Sequence, residues 1–281
     1  MRAILHIGVH KTGSTAIQTC LANNTAALSR KGLFYEPTLP DWPNHNPLAD
    51  AFYRSRDPVF AEQILRDLMV RTGDRTLLIS SEMLCETQID ADRFLDVLDG
   101  WEKTVVAYLR HPCDIVISAF SERVKHYPNR YVRDINEPPL AYHPGQIDGL
   151  ETWLLRDDIN LILAPYDPRQ WSGGQLFADF LQTIGISSDG LDMSDIRINE
   201  SLSHTSTDIL RRALLGGIAR KDFDLLREAL IRFNHRDDQF PLTPDTIAFC
   251  GELMRDAIER YRRFLRPGFD ERFLFEQRGS K

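Results

Sequence analysis

The sequence predicts an α/β fold, a parallel sheet of about 4–5 strands with helices on both faces and a helical C-terminal third. Three observations predict it. Four short runs are apolar throughout, without the in-and-out alternation of a half-exposed strand. Apolar stripes at helical spacing fall between and after these runs, and the last third of the chain carries such stripes and no further strand-like run.

The first run is Ile4-Leu5-His6-Ile7-Gly8-Val9. The others are Thr76-Leu77-Leu78-Ile79-Ser80, Thr104-Val105-Val106-Ala107-Tyr108-Leu109 and Asn160-Leu161-Ile162-Leu163-Ala164. Short, continuous and partly β-branched, they suit strands covered on both faces. Helices are expected over residues 14–30, with Ile17, Leu21 and Leu28 on one face, and over residues 112–126, with Val116, Phe120 and Val124. Three later groups complete the core: Leu176, Phe177, Phe180 and Leu181; Leu210, Leu214 and Ile218; and Ile247, Cys250, Met254, Ile258, Tyr261 and Leu265. Two stretches break the pattern. Residues 37–58 hold five prolines and three aromatics, and residues 127–149 are rich in Pro, Arg, Tyr and Asn. Long insertions of this kind are candidates for acceptor recognition. With no internal repeat or composition shift, the 281 residues read as a single domain over 1–281.

A formal net charge of −7 argues against a broad basic face for nucleic acid. The four cysteines, Cys20, Cys85, Cys113 and Cys250, lack metal-ligand or disulfide-framework spacing, which fits a reducing compartment. The first apolar run meets His10 and Lys11 at once, leaving no room for a secretory hydrophobic segment. No apolar stretch approaches the roughly 20 residues of a membrane span. The expectation is a cytoplasmic protein with no integral membrane contact.

The chemistry lies in Gly8-Val9-His10-Lys11-Thr12-Gly13-Ser14-Thr15, which leaves a strand and opens a helix. Loop amides and the positive end of the helix dipole favour an anion there. Gly13 allows close backbone approach, and Ser14 and Thr15 add hydroxyl donors. A P-loop triphosphatase places lysine directly after the second glycine, where this chain has Ser14, its lysine lying inside the loop at Lys11. Leu78-Ile79-Ser80-Ser81-Glu82 likewise puts serines where a Mg²⁺-holding carboxylate would end the strand.

His6 through Thr15 resemble the H-x-G-x-H-K-T-G-[ST]-[ST] segment of bacterial sulfotransferases that use 3′-phosphoadenosine 5′-phosphosulfate. The resemblance implies that Lys11, Thr12, Gly13, Ser14 and Thr15 hold the 5′-phosphosulfate, with adenosine 3′,5′-bisphosphate as product. Tyr108-Leu109-Arg110-His111-Pro112 with Ser118 is similar to the family's strand-Arg, helix-Ser pair, which implies that Arg110 and Ser118 bind the 3′-phosphate. An arginine fork and a hydroxyl suit such a monoester. The likeness covers roughly the first 125 residues. Asn199-Glu200-Ser201-Leu202-Ser203 also looks similar to a segment of bacterial relatives, with no role attached. The basic glycine-rich loop of cytosolic animal members has no counterpart here.

Sulfuryl transfer needs an acceptor hydroxyl or amine in line, a proton acceptor, and positive charge near the leaving oxygen. Lys11 supplies the charge. Glu82 is the preferred base, because ligands sit beyond the carboxyl ends of parallel strands. His10, inside the loop, is its rival, and His45, His111 and His126 remain open. His6, within a buried run, reads as a core histidine. No metal is demanded. The acceptor is left open by the sequence: a sugar, a lipid head group, a phenol or another small molecule, or a peptide would fit a loop-built cleft. Two alternatives stand beside this reading: a P-loop small-molecule kinase using Mg²⁺-ATP, and a non-catalytic nucleotide-binding protein.

Overall fold

The computed structural model describes residues 1–38, 42–126, 134–137, 146–194, 202–234 and 240–276. In chain order the elements begin β1 (Arg2–Ile7), α1 (Ser14–Asn23), α2 (Thr25–Arg30), β2 (Leu33–Phe34), α3 (Asn46–Asp50), α4 (Val59–Thr72), β3 (Thr76–Ser81), α5 (Ala91–Val97) and β4 (Glu102–Leu109). They continue with α6 (Pro112–Lys125), α7 (Gln146–Leu154), β5 (Ile159–Pro165), α8 (Leu176–Thr183), α9 (His204–Leu215), α10 (Arg220–Arg232) and α11 (Pro244–Tyr261). The chain divides into two compact units. The first comprises Met1–Arg110, Gln146–Ile198 and Ile258–Glu271; the second comprises His111–Gly145, Asn199–Ala257 and Arg272–Lys281.

The first unit is built on a five-stranded sheet of order β2-β3-β1-β4-β5, parallel throughout. This is the expected fold class. The four apolar runs became β1, β3, β4 and β5, and the fifth strand is the two-residue β2. Central β1 pairs Ile7 with Ser81 of β3 and His6 with Val106 of β4. Ile4, Leu78, Val106 and Tyr108 point to one face, where they pack against Ile17 and Leu21 of α1 and Phe177, Phe180 and Leu181 of α8. Leu5, Ile79 and Val105, one residue out of phase, are fully buried on the other. Each such side chain contributes about 1.5–3 kcal/mol by burial. Behind β4, Tyr108 Oη donates to Asp179 Oδ2 (2.8 Å), which also accepts from Arg266 Nη1 (2.9 Å). The fully buried Asp179 is thus paired, as a buried charge must be.

The helix expected over residues 14–30 is two helices. Asn24 ends the first, its Nδ2 donating to Cys20 O (2.9 Å) and Asp192 O (2.9 Å) in place of helical continuation. The stretch at 37–58 is not structureless, since it contains α3. His45 stands at the N-cap position of that helix, without a side-chain cap, and pins it to the sheet: His45 N–H donates to Ser80 O (2.9 Å), Ser80 N–H donates to His45 Nδ1 (3.2 Å), and His45 Nε2 donates to Glu36 O (2.9 Å). The stretch at 127–149 falls mostly outside the described residues, though α7 begins within it. Ile218 and Leu265 lie beyond the ends of α9 and α11, and Leu265 instead bridges to Leu163 of β5.

The second unit gathers α6, α9, α10 and the 244–257 portion of α11 around Val116, Phe120, Val124, Leu210, Leu214 and Phe223. Pro112 opens α6 in the first-turn position that needs no N–H donor. His111 caps it, Nδ1 accepting from Cys113 N–H (3.2 Å) and Nε2 donating to Glu276 O (2.9 Å). The helix α10 was not anticipated. Asn199, Glu200 and Ser201 lie outside the described residues. Among the described residues no helix is long and apolar enough to cross a membrane. Cys20 and Cys85 of the first unit and Cys113 and Cys250 of the second are buried thiols outside any disulfide.

In the first unit α7 lies directly on the short 3₁₀ turn Glu82–Cys85 that follows β3. Trp153 Nε1 donates to Leu84 O (2.9 Å). A methyl group on Gly149 would overlap the carbonyl oxygen of Cys85 and stand 2.6 Å from its carbon. A backbone carbonyl cannot rotate aside, so Gly149→Ala should lose about 1–3 kcal/mol by overpacking, against a helix-propensity gain of only about 0.5–1 kcal/mol. Urea unfolding should show a lower midpoint at unchanged slope; an unchanged or higher midpoint would mean that α7 does not seat on this turn.

Candidate functional site

Parallel strands in this register end together, so the segments that follow β1, β3, β4 and β5 open on one edge. After β1 comes the loop of residues 8–13. Gly8 N–H donates to Ser81 O (3.2 Å), extending the pairing of β1 with β3 by one residue. A methyl group on Gly8 would overlap Ser14 Oγ and lie 3.3 Å from Glu82 Cβ. Glycine is required there because helix start, loop and β3 end converge on it.

The chain turns twice through left-handed backbone, at Lys11 (φ 67°) and Gly13 (φ 76°). Glycine tolerates this freely, whereas a residue with a Cβ loses about 1–2 kcal/mol. Strain held at a lysine is the kind found at ligand-binding loops. Thr12, fully buried, sends both its N–H (3.3 Å) and its Oγ1 (2.5 Å) to Val9 O. Its donors therefore close the loop upon itself.

Gly13 is the N-cap of α1 and provides no side-chain cap. The N–H groups of Gly13, Ser14 and Thr15 donate to no described residue, as expected at an uncapped helix start. Ser14 Oγ is buried and has no hydrogen-bond partner among the described residues. An orphaned buried hydroxyl costs about 1–3 kcal/mol. Three amides, the positive end of the helix dipole and this hydroxyl form a cluster of donors lacking an acceptor, which fits an anion such as phosphate.

Beyond β3, Glu82 opens the 3₁₀ turn. Asn46 Nδ2 of α3 donates to Glu82 Oε1 (3.4 Å), and Asn46 Oδ1 accepts from Ser81 Oγ (2.7 Å). Glu86, just past the turn, pairs with His10 Nε2. That hydrogen bond raises the His10 pKa above its ordinary value against the opposing effect of burial, with Glu86 and Glu82 also acting through space, and it lowers the Glu86 pKa. After β4, Arg110 Nη1 donates to Lys11 O (2.5 Å) while its guanidinium lies 5.1 Å from the ring centre of Tyr166, the residue after β5. Such stacking contributes about 0.5–1 kcal/mol.

The structure thus brings His10, Lys11, Thr12, Gly13, Ser14, Thr15, Glu82 and Arg110 together in the first unit. Ser118 is half-buried on α6 in the second. Three other histidines are occupied elsewhere. His45 is buried with both ring nitrogens bonded, and burial takes its pKa down to about 4. His111 spends both nitrogens at the start of α6, and His126 Nε2 pairs with Glu122 (2.8 Å). His6 is a core residue, with Nδ1 on Ser80 Oγ (2.8 Å) and a pKa lowered to about 3 by burial.

Sequence reasoning missed Glu86, Asn46 and Tyr166. Tyr166 was within reach, since parallel β4 and β5 must deliver Arg110 and Tyr166 side by side. Glu86 had a weak signal as a second carboxylate four residues past Glu82. Nothing local in His45-Asn46-Pro47 indicated a contact with Ser81.

No family model matches the chain, and no curated protein matches it in sequence. Among solved structures it is similar to a sulfotransferase from Alicyclobacillus acidocaldarius, at 17% identity over 84% of this chain and 97% of that one, with a TM-score of 0.40. It is also similar to the sulfotransferase domain of the olefin synthase from Synechococcus PCC 7002, at 15% identity over 86% and 95% of the two chains, with a TM-score of 0.35. A third similarity is to a structure of the PezAT chromosomal toxin-antitoxin system of Streptococcus pneumoniae, at 12% identity over 82% and 85%, with a TM-score of 0.29.

Ser14→Ala tests the anion cluster. Removing an unsatisfied hydroxyl should raise the stability of the unliganded protein by about 1 kcal/mol, while weakening the stabilisation conferred by added inorganic phosphate. Thermal melts with and without phosphate read both effects. Reduced stability together with an undiminished phosphate response would show that the hydroxyl serves packing alone.

Proposed function

We propose that the protein is a sulfotransferase that moves a sulfuryl group from 3′-phosphoadenosine 5′-phosphosulfate to a hydroxyl or amine of a small-molecule, lipid or glycan acceptor. The observation that carries this reading is the uncapped start of α1 with its orphaned Ser14 hydroxyl, a lysine inside the loop rather than after Gly13, and a carboxylate, Glu82, beside it. A triphosphate site would call for a lysine directly after Gly13, where Ser14 stands, and for a metal-holding acid where β3 ends in Ser80 and Ser81. The donor nucleotide, when bound, supplies an activated sulfuryl group.

The amides of Gly13, Ser14 and Thr15, with Ser14 Oγ, hold the phosphosulfate end. Lys11 carries charge to the same place, meeting the electron pair that returns to the phosphate oxygen as the sulfur–oxygen bond breaks. Glu82 Oε takes the proton of the acceptor hydroxyl or amine as the new bond to sulfur forms. Asn46 restrains the Glu82 carboxylate from the side of α3. Arg110 is assigned to the 3′-phosphate, and it also braces the loop through Lys11 O.

Calorimetry with adenosine 3′,5′-bisphosphate and separately with Mg²⁺-ATP tests the cofactor class. The first should bind and the second should not; the reverse would favour the kinase. With a turned-over acceptor, Glu82→Gln should lower the rate by about 10²–10⁴ while bisphosphate affinity stays within about threefold. Near-normal turnover in this variant would remove Glu82 as the base. Lys11→Ala should depress turnover far more than bisphosphate affinity, because its charge matters most as the leaving oxygen becomes anionic. An equal loss in both would make Lys11 a binding group only.

A further inference from the structure

The pair formed by His10 and Glu86 has no part in the scheme above. The 3₁₀ turn Glu82–Cys85 is so short that carboxylates at its start and just past its end, Glu82 and Glu86, both lie beside the phosphate loop. Glu86 Oε1 occupies His10 Nε2, while no described residue bonds to His10 Nδ1. The ring belongs to the residue immediately before Lys11, in the loop whose amides and buried Ser14 hydroxyl await an acceptor. We propose that Glu86 is a positioning residue which, by accepting from Nε2–H, turns the His10 ring so that its imidazolium form serves the bound anion as a donor through Nδ1–H.

The inference rests on the sulfotransferase reading and divides the labour within it. A base must arrive without its proton, whereas an anion is best met by a group that carries one. The hydrogen bond to Glu86, followed by the attraction of Glu86 and Glu82, keeps the imidazole charged to higher pH, outweighing burial and the repulsion of Lys11. The other groups around Glu86 do not compete in this range. Tyr53, which Asp50 and Arg56 also influence, has its pKa pushed up to about 12 by burial and by Glu86, and burial likewise pushes the Cys85 thiol up. By linkage, anion affinity falls as pH rises through the His10 pKa, and a bound anion raises that pKa further.

The experiment follows the His10 Cε1 resonance by NMR between roughly pH 5 and pH 9, in wild-type protein and in Glu86→Gln, with and without inorganic pyrophosphate. Affinity for adenosine 3′,5′-bisphosphate is measured over the same range in both, and in His10→Gln. The His10 titration point should move up with pyrophosphate and should drop by about one pH unit in Glu86→Gln. Wild-type affinity should fall by about tenfold across the His10 titration, and His10→Gln should lack this step. Any change shared by wild type and His10→Gln belongs to the second ionisation of the nucleotide's phosphates, near about pH 6.

A His10 titration point that ignores Glu86→Gln, or that ignores pyrophosphate, overturns the proposal. So does a bisphosphate profile that is the same with and without His10, although in that case the sulfotransferase reading survives. If the bisphosphate fails to bind wild-type protein while pyrophosphate still shifts His10, the sulfotransferase reading falls and the anion-binding role of His10 stands. Should Glu86→Gln not fold, Glu86→Asp keeps the charge and shortens the reach, and its His10 titration point should fall below that of wild type; equality with wild type counts against the pair.

Discussion

The arrangement of the site depends on the parallel pairing of β1 between β3 and β4. Because the strands run one way and in this register, the loop after β1, the acidic turn after β3 and the arginine after β4 leave the sheet at one edge. A slip of one residue in β1 would turn Ile4 and His6 to the opposite face and carry Gly8 away from Ser81 and Glu82. The apolar burial of Leu5, Ile7 and Ile79 forbids that slip, so the hydrophobic core sets the alignment of charged groups that never touch it.

Within the first unit, three histidines show that environment and not residue type decides the chemistry. His6 and His45 are buried beside Ser80 and lack a carboxylate partner; each is neutral and serves as a hydrogen-bonded strut. His10, four residues along from His6, meets Glu86, and its pKa is raised instead. Desolvation and ion pairing act on all imidazoles, and the sign of the outcome follows from which acid the backbone brings near. The His45 strut also fixes α3, which delivers Asn46 to Glu82. A proline-rich excursion thereby becomes part of the wall of the site.

Legibility in the sequence followed the range of the interactions. The strands β1, β3, β4 and β5 were readable because continuous apolar runs are a local signature of a covered sheet. Leu33-Phe34 carries too few residues to show any period. The break at Asn24 depended on Asp192, 168 residues away, so the 14–30 stripe read as one helix. The loop after β1 was legible because its glycines, lysine and hydroxyls are contiguous. Glu86 and Asn46 were not, since their meaning comes from the pairing of β3 with β1 and from a strap fastened by His45. Thr12 taught the opposite lesson: a residue inside a contiguous motif turned its donors inward to Val9 O.

The buried thiols have a practical consequence. A sulfhydryl in the interior reacts with an alkylating reagent only when its surroundings open, so labelling rate under native conditions reports the free energy of that opening. Cys20, on α1, reports the helix that begins at Gly13, and Cys85 reports the turn between Glu82 and Glu86. Cys113 and Cys250 report the helical second unit. The chain thereby carries its own set of chemical clocks, and mass spectrometry of partly alkylated protein can time the breathing of each region without introducing a single foreign residue.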